Sequence, residues 1–348
     1  MKHALFLFPL LLLLALTGCD FIGSDDGGGS AEDEGPHLFP VRIDGRWGYI
    51  NERGRITIEP QFWYADRFFD GRARANVDDK RGYINESGEY VGETNFNNAR
   101  AFSDGLAAVR MDGRWGYVNR SGSVTISPRY PSVNAFSEGR AFIRTEDNRW
   151  EYINTAGEII RQEETPELRE VEDGEDRFSG GLALIKARDG SYGYIDRDAN
   201  PVIPPQFTAA RAFSDGLAAV KVSDRWGFID RDKNFVINPR YIEVGHLQEG
   251  LAPVRENTNT WGFANRDGQM VIAPQFEEAR SFHDGRAAAM LNGRWGYIDK
   301  DGNWITEPEF SEVEDFRQGV GRVLLVVGDD ERFGYIDHDG KYLWYPSD

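Results

Sequence analysis

An all-β fold built from nine tandem repeats of about 34 residues is what this sequence predicts, and three observations predict it. The string Trp47-Gly48-Tyr49-Ile50-Asn51 returns as Trp115-Gly116-Tyr117-Val118-Asn119, Trp226-Gly227-Phe228-Ile229-Asp230 and Trp295-Gly296-Tyr297-Ile298-Asp299. Weaker copies begin at Arg81, Trp150, Tyr192, Trp261 and Phe333, and the nine starts are separated by 34, 34, 35, 42, 34, 35, 34 and 38 residues. Gly and Pro punctuate the chain about every ten residues, which leaves no stretch long enough for a helical period.

Each unit opens on a strand, because aromatic and β-branched residues at the Trp-Gly-Tyr-Ile position suit a pleated ribbon. Alternation places Trp47 and Tyr49 on one face, Gly48 and Ile50 on the other. A turn follows, as in Asn51-Glu52-Arg53-Gly54 and Asp299-Lys300-Asp301-Gly302; Asn or Asp opens it in all nine units and Gly closes it in seven. Those are the preferences of a type I turn followed by a left-handed residue. Next comes a short apolar strand carrying Pro, Ile58-Glu59-Pro60-Gln61-Phe62 or Ile272-Ala273-Pro274-Gln275-Phe276. Proline cannot donate to a ladder, so this piece belongs at an edge or a strand end. The unit closes with Phe102-Ser103-Asp104-Gly105-Leu106-Ala107-Ala108-Val109, repeated as Phe213-Ser214-Asp215-Gly216-Leu217-Ala218-Ala219-Val220, where Asp-Gly bends the chain into another strand.

These units resemble the WG-repeat (KWG-repeat) family, in which an apolar strand leads into Lys/Arg-Trp-Gly-Tyr-Ile-Asp/Asn, a Gly turn and Ile-x-Pro-x-Tyr/Phe. The resemblance runs from about Phe39 to Tyr345 and implies stacked β units without implying an activity. Arg81 replaces the Trp of unit two, Glu151 the Gly of unit four, and Thr94 a Pro. Unit four also carries an acidic insert around Glu163 to Asp176, expected to be an exposed loop. Units that cannot bury an apolar face alone must stack on neighbours, in an open solenoid-like or superhelical array or in a closed β-propeller. Propeller blades usually have four strands and number about four to eight. With room for three strands per unit and no split blade, the open array is the preferred expectation and the closed ring the alternative.

Residues 1–18 read as a signal peptide: a short basic start, then Ala4 to Leu16, apolar apart from Pro9. Those thirteen residues fall short of the roughly 20 that span a hydrocarbon core. Leu16-Thr17-Gly18-Cys19 resembles the lipobox of bacterial lipoproteins, which implies cleavage after Gly18 and lipidation of Cys19. More than one acyl chain is what stable anchoring needs. Residues 19–36 follow as a Gly-, Ser- and acid-rich linker, and residues 37–348 hold the repeats. The expected location is therefore the bacterial cell envelope, lipid-anchored, with membrane and face open.

The formal charge of −18 argues against a nucleic-acid partner, which needs a basic face. A single cysteine excludes an intrachain disulfide and a thiolate metal site. None of His3, His37, His246, His283 and His338 has zinc-ligand spacing, and no nucleophile elbow, phosphate loop or dinucleotide fingerprint is present. Asp196-Arg197-Asp198 and its kin lack the remaining ligands of a calcium loop and read as turns. The expectation is therefore a non-enzyme without cofactor or metal. Two charged columns stand out: Arg46, Arg114, Arg149, Arg225, Arg294 and Arg332 beside the Trp position, and Asp70, Asp104, Glu138, Asp215, Glu249 and Asp284 before the bend Gly. The plain expectation is that they pair as a surface ladder; the sharper one is that the arginines face an anionic ligand. Aromatics outside the motif, Trp63, Tyr64, Trp304, Trp344 and Tyr345, are the candidates for a glycan-binding strip. The function expected is a scaffold surface for a protein partner, with a glycan-binding or glycan-processing lipoprotein as the alternative.

Overall fold

The computed structural model describes residues 37–345 apart from Asp79, Asn95, Glu164, residues 172–174, Thr258 and residues 328–329. The signal segment, Cys19 and the linker lie outside the described residues. Every regular element described is a β-strand.

The eighth unit shows the plan. A short first strand (Glu278–Ala279) pairs with a second (Ala287–Leu291), the second with a third (Arg294–Ile298), and the third with a long fourth (Trp304–Phe310), all antiparallel. One residue, Ser311, then separates Phe310 from the first strand of the next blade, Glu312–Val313. Nine such blades follow one another, and we number them by their third strands, from Trp47 to Phe333. The first and second strands are joined by a two-residue hairpin. In blade 2, Phe69 and Arg72 exchange both backbone hydrogen bonds around Asp70 and Gly71, whose φ values are 52° and 71°. Two left-handed residues make this a type I′ turn, whose twist matches that of the strands. Between third and fourth strands the expected turn is present: Gly54 N–H donates to Asn51 O at 2.9 Å, and the Asn51 side chain accepts the N–H groups of Arg53 and Arg55.

The Gly of Trp-Gly is dictated by the fourth strand. Trp226 pairs with Tyr241 and Phe228 with Ile237, so two residues of one strand face four of the other. This bulge arches the Asn238-Pro239 backbone over Gly227, where a Cβ would lie 2.5 Å from Ile237 O and 2.7 Å from Pro239 N. Proline is tolerated there because the bulged residues do not feed the ladder. In blade 4 the pattern fails as a unit, whereas blade 2 loses its Pro and keeps Gly82. Glu151 replaces the Gly in blade 4, the fourth strand shrinks to Ile159–Ile160, and the buried Glu151 carboxylate takes Arg161 at 2.8 Å.

The insert of unit four is not an exposed loop. Leu168–Arg169 pairs with Trp150 of blade 4 on one side and with Ala187 and Lys186 of blade 5 on the other, fusing the two blades into one nine-stranded sheet. Leu168 and Val171 enter apolar clusters, and Asp176 is buried. An acidic composition hid a segment whose few apolar residues are all turned inward.

Successive blades share three contacts. The third-strand Tyr donates its hydroxyl to a backbone carbonyl beyond the next blade's first strand, as from Tyr117 to Asn134 O and from Tyr194 to Arg211 O, both 2.7 Å. The same ring meets the next blade's hairpin Phe edge-on, with Tyr117–Phe136 and Tyr297–Phe316 centroids both 4.7 Å apart. In the seven blades that have one, the turn Gly lies on the preceding fourth strand, as Gly122 on Gly92 and Gly302 on Ile272. Burial raises the pKa of Tyr117, Tyr152, Tyr194 and Tyr297 well above the ordinary phenol value, so these hydroxyls remain donors.

All three contacts recur between blade 9 and blade 1. Tyr335 donates to Pro40 O at 2.7 Å, the Phe39 and Tyr335 rings lie 5.6 Å apart, and Gly54 abuts Leu343 O. Arg67 of blade 2 and Glu314 of blade 9 also meet at 2.5 Å across blade 1. The nine-repeat all-β array is as expected, but its ends meet: the closed ring, held above as the alternative, replaces the open array. Closure uses no shared blade. Among the described residues the first blade has three strands and no short first strand, and Phe39 stands where the other blades carry Ala or Gly (Ala73, Ala107, Ala287, Gly321). Its ring supplies what the missing hairpin Phe would have.

Adding a methyl at Gly227 should cost about 2–3 kcal/mol, because the obstruction is backbone. The same change at Gly82, where the nearest atom is the Thr94 side chain at 3.2 Å, should cost under about 1 kcal/mol. Thermal or urea unfolding of Gly227→Ala and Gly82→Ala compares them. A double-mutant cycle of Phe39→Ala with Tyr335→Leu, which removes both rings, should give a coupling of about 0.5–1.5 kcal/mol, whereas ends that do not touch would give none.

Candidate functional site

The two charged columns expected to pair lie at opposite ends of the strands. The acids sit in the hairpin that leads into the second strand; the arginines begin the third strand, beside the other hairpin. A strand of five residues separates these ends by about 15 Å, so the expected ladder between them does not form.

The arginines have other partners. Arg46 lies 3.1 Å over the Trp63 ring, Arg114 is 3.6 Å from Glu146, and Arg149 is 2.6 Å from Asp147. Arg225 donates to Arg240 O and Glu256 O, Arg294 to Ser311 Oγ at 2.7 Å, and Arg332 is likewise engaged.

Each acid instead reaches the next blade's hairpin. Asp70 accepts Gly105 N–H at 2.7 Å, Asp104 accepts Gly139 N–H at 2.7 Å, and Glu138 accepts Gly181 N–H at 2.8 Å. Asp215, Glu249 and Asp284 do the same for Gly250, Gly285 and Gly319. The acids have φ between 48° and 54°, a region that costs a non-glycine residue roughly 1–2 kcal/mol. A charge-assisted hydrogen bond to the neighbouring amide offsets that strain.

A second basic column completes the ladder, at the second position of the Asn/Asp turn. Arg120 pairs with Asp70 at 3.3 Å, Arg197 with Glu138 at 2.6 Å and Lys300 with Glu249 at 3.0 Å, while Arg266 donates to Asp215 O at 2.6 Å. Sequence reading missed this column. Its signal was available: Arg120, Arg197, Arg231, Arg266 and Lys300 all follow the turn's Asn or Asp. The Asp196 and Asp299 side chains of the calcium-like strings accept backbone N–H groups of their own turns.

The insert adds a polar cluster. Glu175 accepts from His246 Nε2 at 3.0 Å, Arg211 Nη1 at 3.2 Å and Ala212 N–H at 2.5 Å. Burial alone would raise its carboxyl, but His246, the Ala212 amide and Arg211 outweigh that and hold it below the usual range. Its neighbour Asp176 is pushed the other way, chiefly by burial; Asn134 donates to one carboxylate oxygen and the other has no hydrogen-bond partner. Among the described residues no three His, Cys, Asp or Glu side chains gather as a metal site.

The exposed aromatics do not form a strip. Trp63 is 55% exposed but carries Arg46 on its ring, Tyr345 is packed on Tyr342, and Tyr64, Trp304 and Trp344 are half-buried. A different exposed row exists on the fourth strands, where Val202, Val236 and Val271 hold one register position in blades 5, 6 and 7 at 40%, 39% and 48% exposure.

Fold and site together define a closed ring of tandem β repeats joined blade to blade by side-chain-to-backbone contacts. The family pattern of the WG-containing repeat matches seven times, at residues 47–80, 82–115, 115–150, 192–226, 226–258, 261–295 and 295–325, and the chain belongs to that family. No curated protein matches it. Among solved structures it is similar to BamB from Moraxella catarrhalis, at 12% identity and a TM-score of 0.43 over 87% of this chain and 97% of that one. Kluyveromyces lactis Hsv2p gives 9% identity and a TM-score of 0.43 over 72% and 96%. The tricorn protease gives 12% and 0.27 over 88% and 44%.

Asp176→Asn should test the buried acid. A carboxyl raised by burial holds its proton more tightly folded than unfolded, so its ionisation destabilises the fold as pH rises through the folded value. The variant should therefore melt higher than the parent at pH 7, and the gain should vanish as pH falls toward about 4, the unfolded carboxyl value. A gain independent of pH would sink this account.

Proposed function

We propose that this protein is a non-catalytic scaffold held at a bacterial envelope membrane through lipid on Cys19, presenting the outer surface of its ring to a protein partner. The observation that carries the reading is the valine row at Val202, Val236 and Val271. Isolated exposed apolar residues are ordinary, whereas three at one register position of consecutive blades give repeated apolar points that an extended protein partner could cover. The recurring acids and turn cations support it from the other side: they are consumed in joining blades, as structural residues are. A glycan platform would want open aromatic faces, and the guanidinium of Arg46 covers that of the exposed Trp63.

Two outcomes are expected. Cys19→Ala should release the protein from membranes and abolish incorporation of a labelled fatty acid. Replacing Val202, Val236 and Val271 together by Glu should leave the melting temperature nearly unchanged, since all three are exposed. It should also remove the proteins that cross-link to the parent in envelope extracts. Retention of those cross-links would exclude the valine row. Salt-insensitive binding to a neutral glycan, lost on Trp63→Ala, would favour the glycan reading.

A further inference from the structure

The carboxylate ladder has a gap in blade 5. Where six hairpins carry Asp70, Asp104, Glu138, Asp215, Glu249 or Asp284, and that of blade 9 carries Gln318, blade 5 has Gly180, at φ 58°. No carboxylate therefore reaches Gly216, the hairpin Gly of blade 6, and its N–H has no hydrogen-bond partner among the described residues. The cation of the ladder is nonetheless present. Arg231 occupies the second turn position of blade 6, as Arg120, Arg197 and Lys300 do in blades 3, 5 and 8. It forms no ion pair among the described residues, and its Nη2 lies 2.7 Å from where a Cβ of Gly180 would stand. Arg266 of blade 7 places a second guanidinium 3.4 Å from the Cβ position of Gly216.

We propose that Gly216 N–H and the Arg231 guanidinium form a binding site for a single carboxylate supplied from outside the chain. The protein states the ligand's chemistry itself. At Asp70 and Glu138 the equivalent pair, an amide of the next hairpin and an arginine of the next turn, holds one carboxylate between them, at 2.7 and 3.3 Å and at 2.8 and 2.6 Å. In blade 5 both donors remain and only the acid is gone. Two charge-assisted donors aimed at one point make an anion site, and Arg231 can approach a carboxylate with two N–H groups as Arg197 does. The site is exposed, so it is open both to a free monocarboxylate and to an acidic side chain of another protein. The built-in carboxylates come from left-handed hairpin residues, which is the geometry such a side chain would copy.

Acetate and a blocked peptide with one Asp at the first left-handed position of an Asp-Gly turn are the probes, titrated into the protein at constant ionic strength with chloride as the control. The reporter is the Gly216 amide in a nitrogen–proton correlation spectrum. Its resonance should move downfield and saturate with acetate, and not with chloride. Arg231→Gln should weaken acetate binding by about tenfold, as loss of a charged donor implies. Gly180→Asp should supply the missing carboxylate internally. Position 180 already has the φ of Asp70, and the atom in the way is the far end of the Arg231 side chain. That variant should show the downfield Gly216 amide without ligand, fail to respond to acetate, and melt above the parent. Tighter binding of the peptide than of acetate would assign the site to protein ligands, and equal or weaker binding would assign it to small carboxylates. A Gly216 amide that responds equally to acetate and chloride, or an unchanged acetate response in both variants, would overturn the proposal.

Discussion

A buried tyrosine hydroxyl handed from each blade to the next is the contact on which the ring depends. The Tyr ring must cross the boundary between sheets to reach an apolar slot, yet its hydroxyl cannot be left dry. In most joints the acceptor is a carbonyl at or just past the neighbour's first strand. Satisfying one polar atom therefore fixes the distance and rotation between consecutive sheets. Blades 6 and 7 carry Phe228 and Phe263 at this position and keep only the apolar half of the joint. Seven hydroxyls suffice to impose the geometry, and the two exceptions adopt it because their neighbours have.

The motif's other residues follow from that spacing. With the third strand pressed against the next blade, its far side must accommodate a bulged fourth strand, and only Gly leaves room for the backbone that arches over it. Trp marks one edge of this bulge, and Pro lies in the arch over the Gly. The pairing is visible inside the molecule: blade 4 gives up the Gly and the Pro together and fills the space with a carboxylate and an arginine.

Much of this was legible in the residues. Asn51-x-x-Gly54 announced its turn because Asn side chains cap backbone amides and Gly alone is comfortable at positive φ. Strand boundaries followed from Gly and Pro. What a one-dimensional reading could not see was contact between residues 295 positions apart, Tyr335 and Pro40, so closure was invisible. The basic partners of the acids escaped for a related reason. Arg46 and Asp70 share a period, but periodicity says nothing about which end of a strand a residue occupies. The insert misled through composition, since its few apolar residues decide its burial and its many acids do not.

Closure has a consequence for how such a protein can change over generations. An open stack gains or loses a repeat at little cost, because each unit answers only to its neighbours. In a circle every joint must share the same total turn, so duplicating or deleting one unit would misalign all the others at once. The unit count is thus locked while individual blades drift. Novelty must enter as substitutions or local insertions, and blade 4, with its altered motif and its bridging insert, shows that route taken.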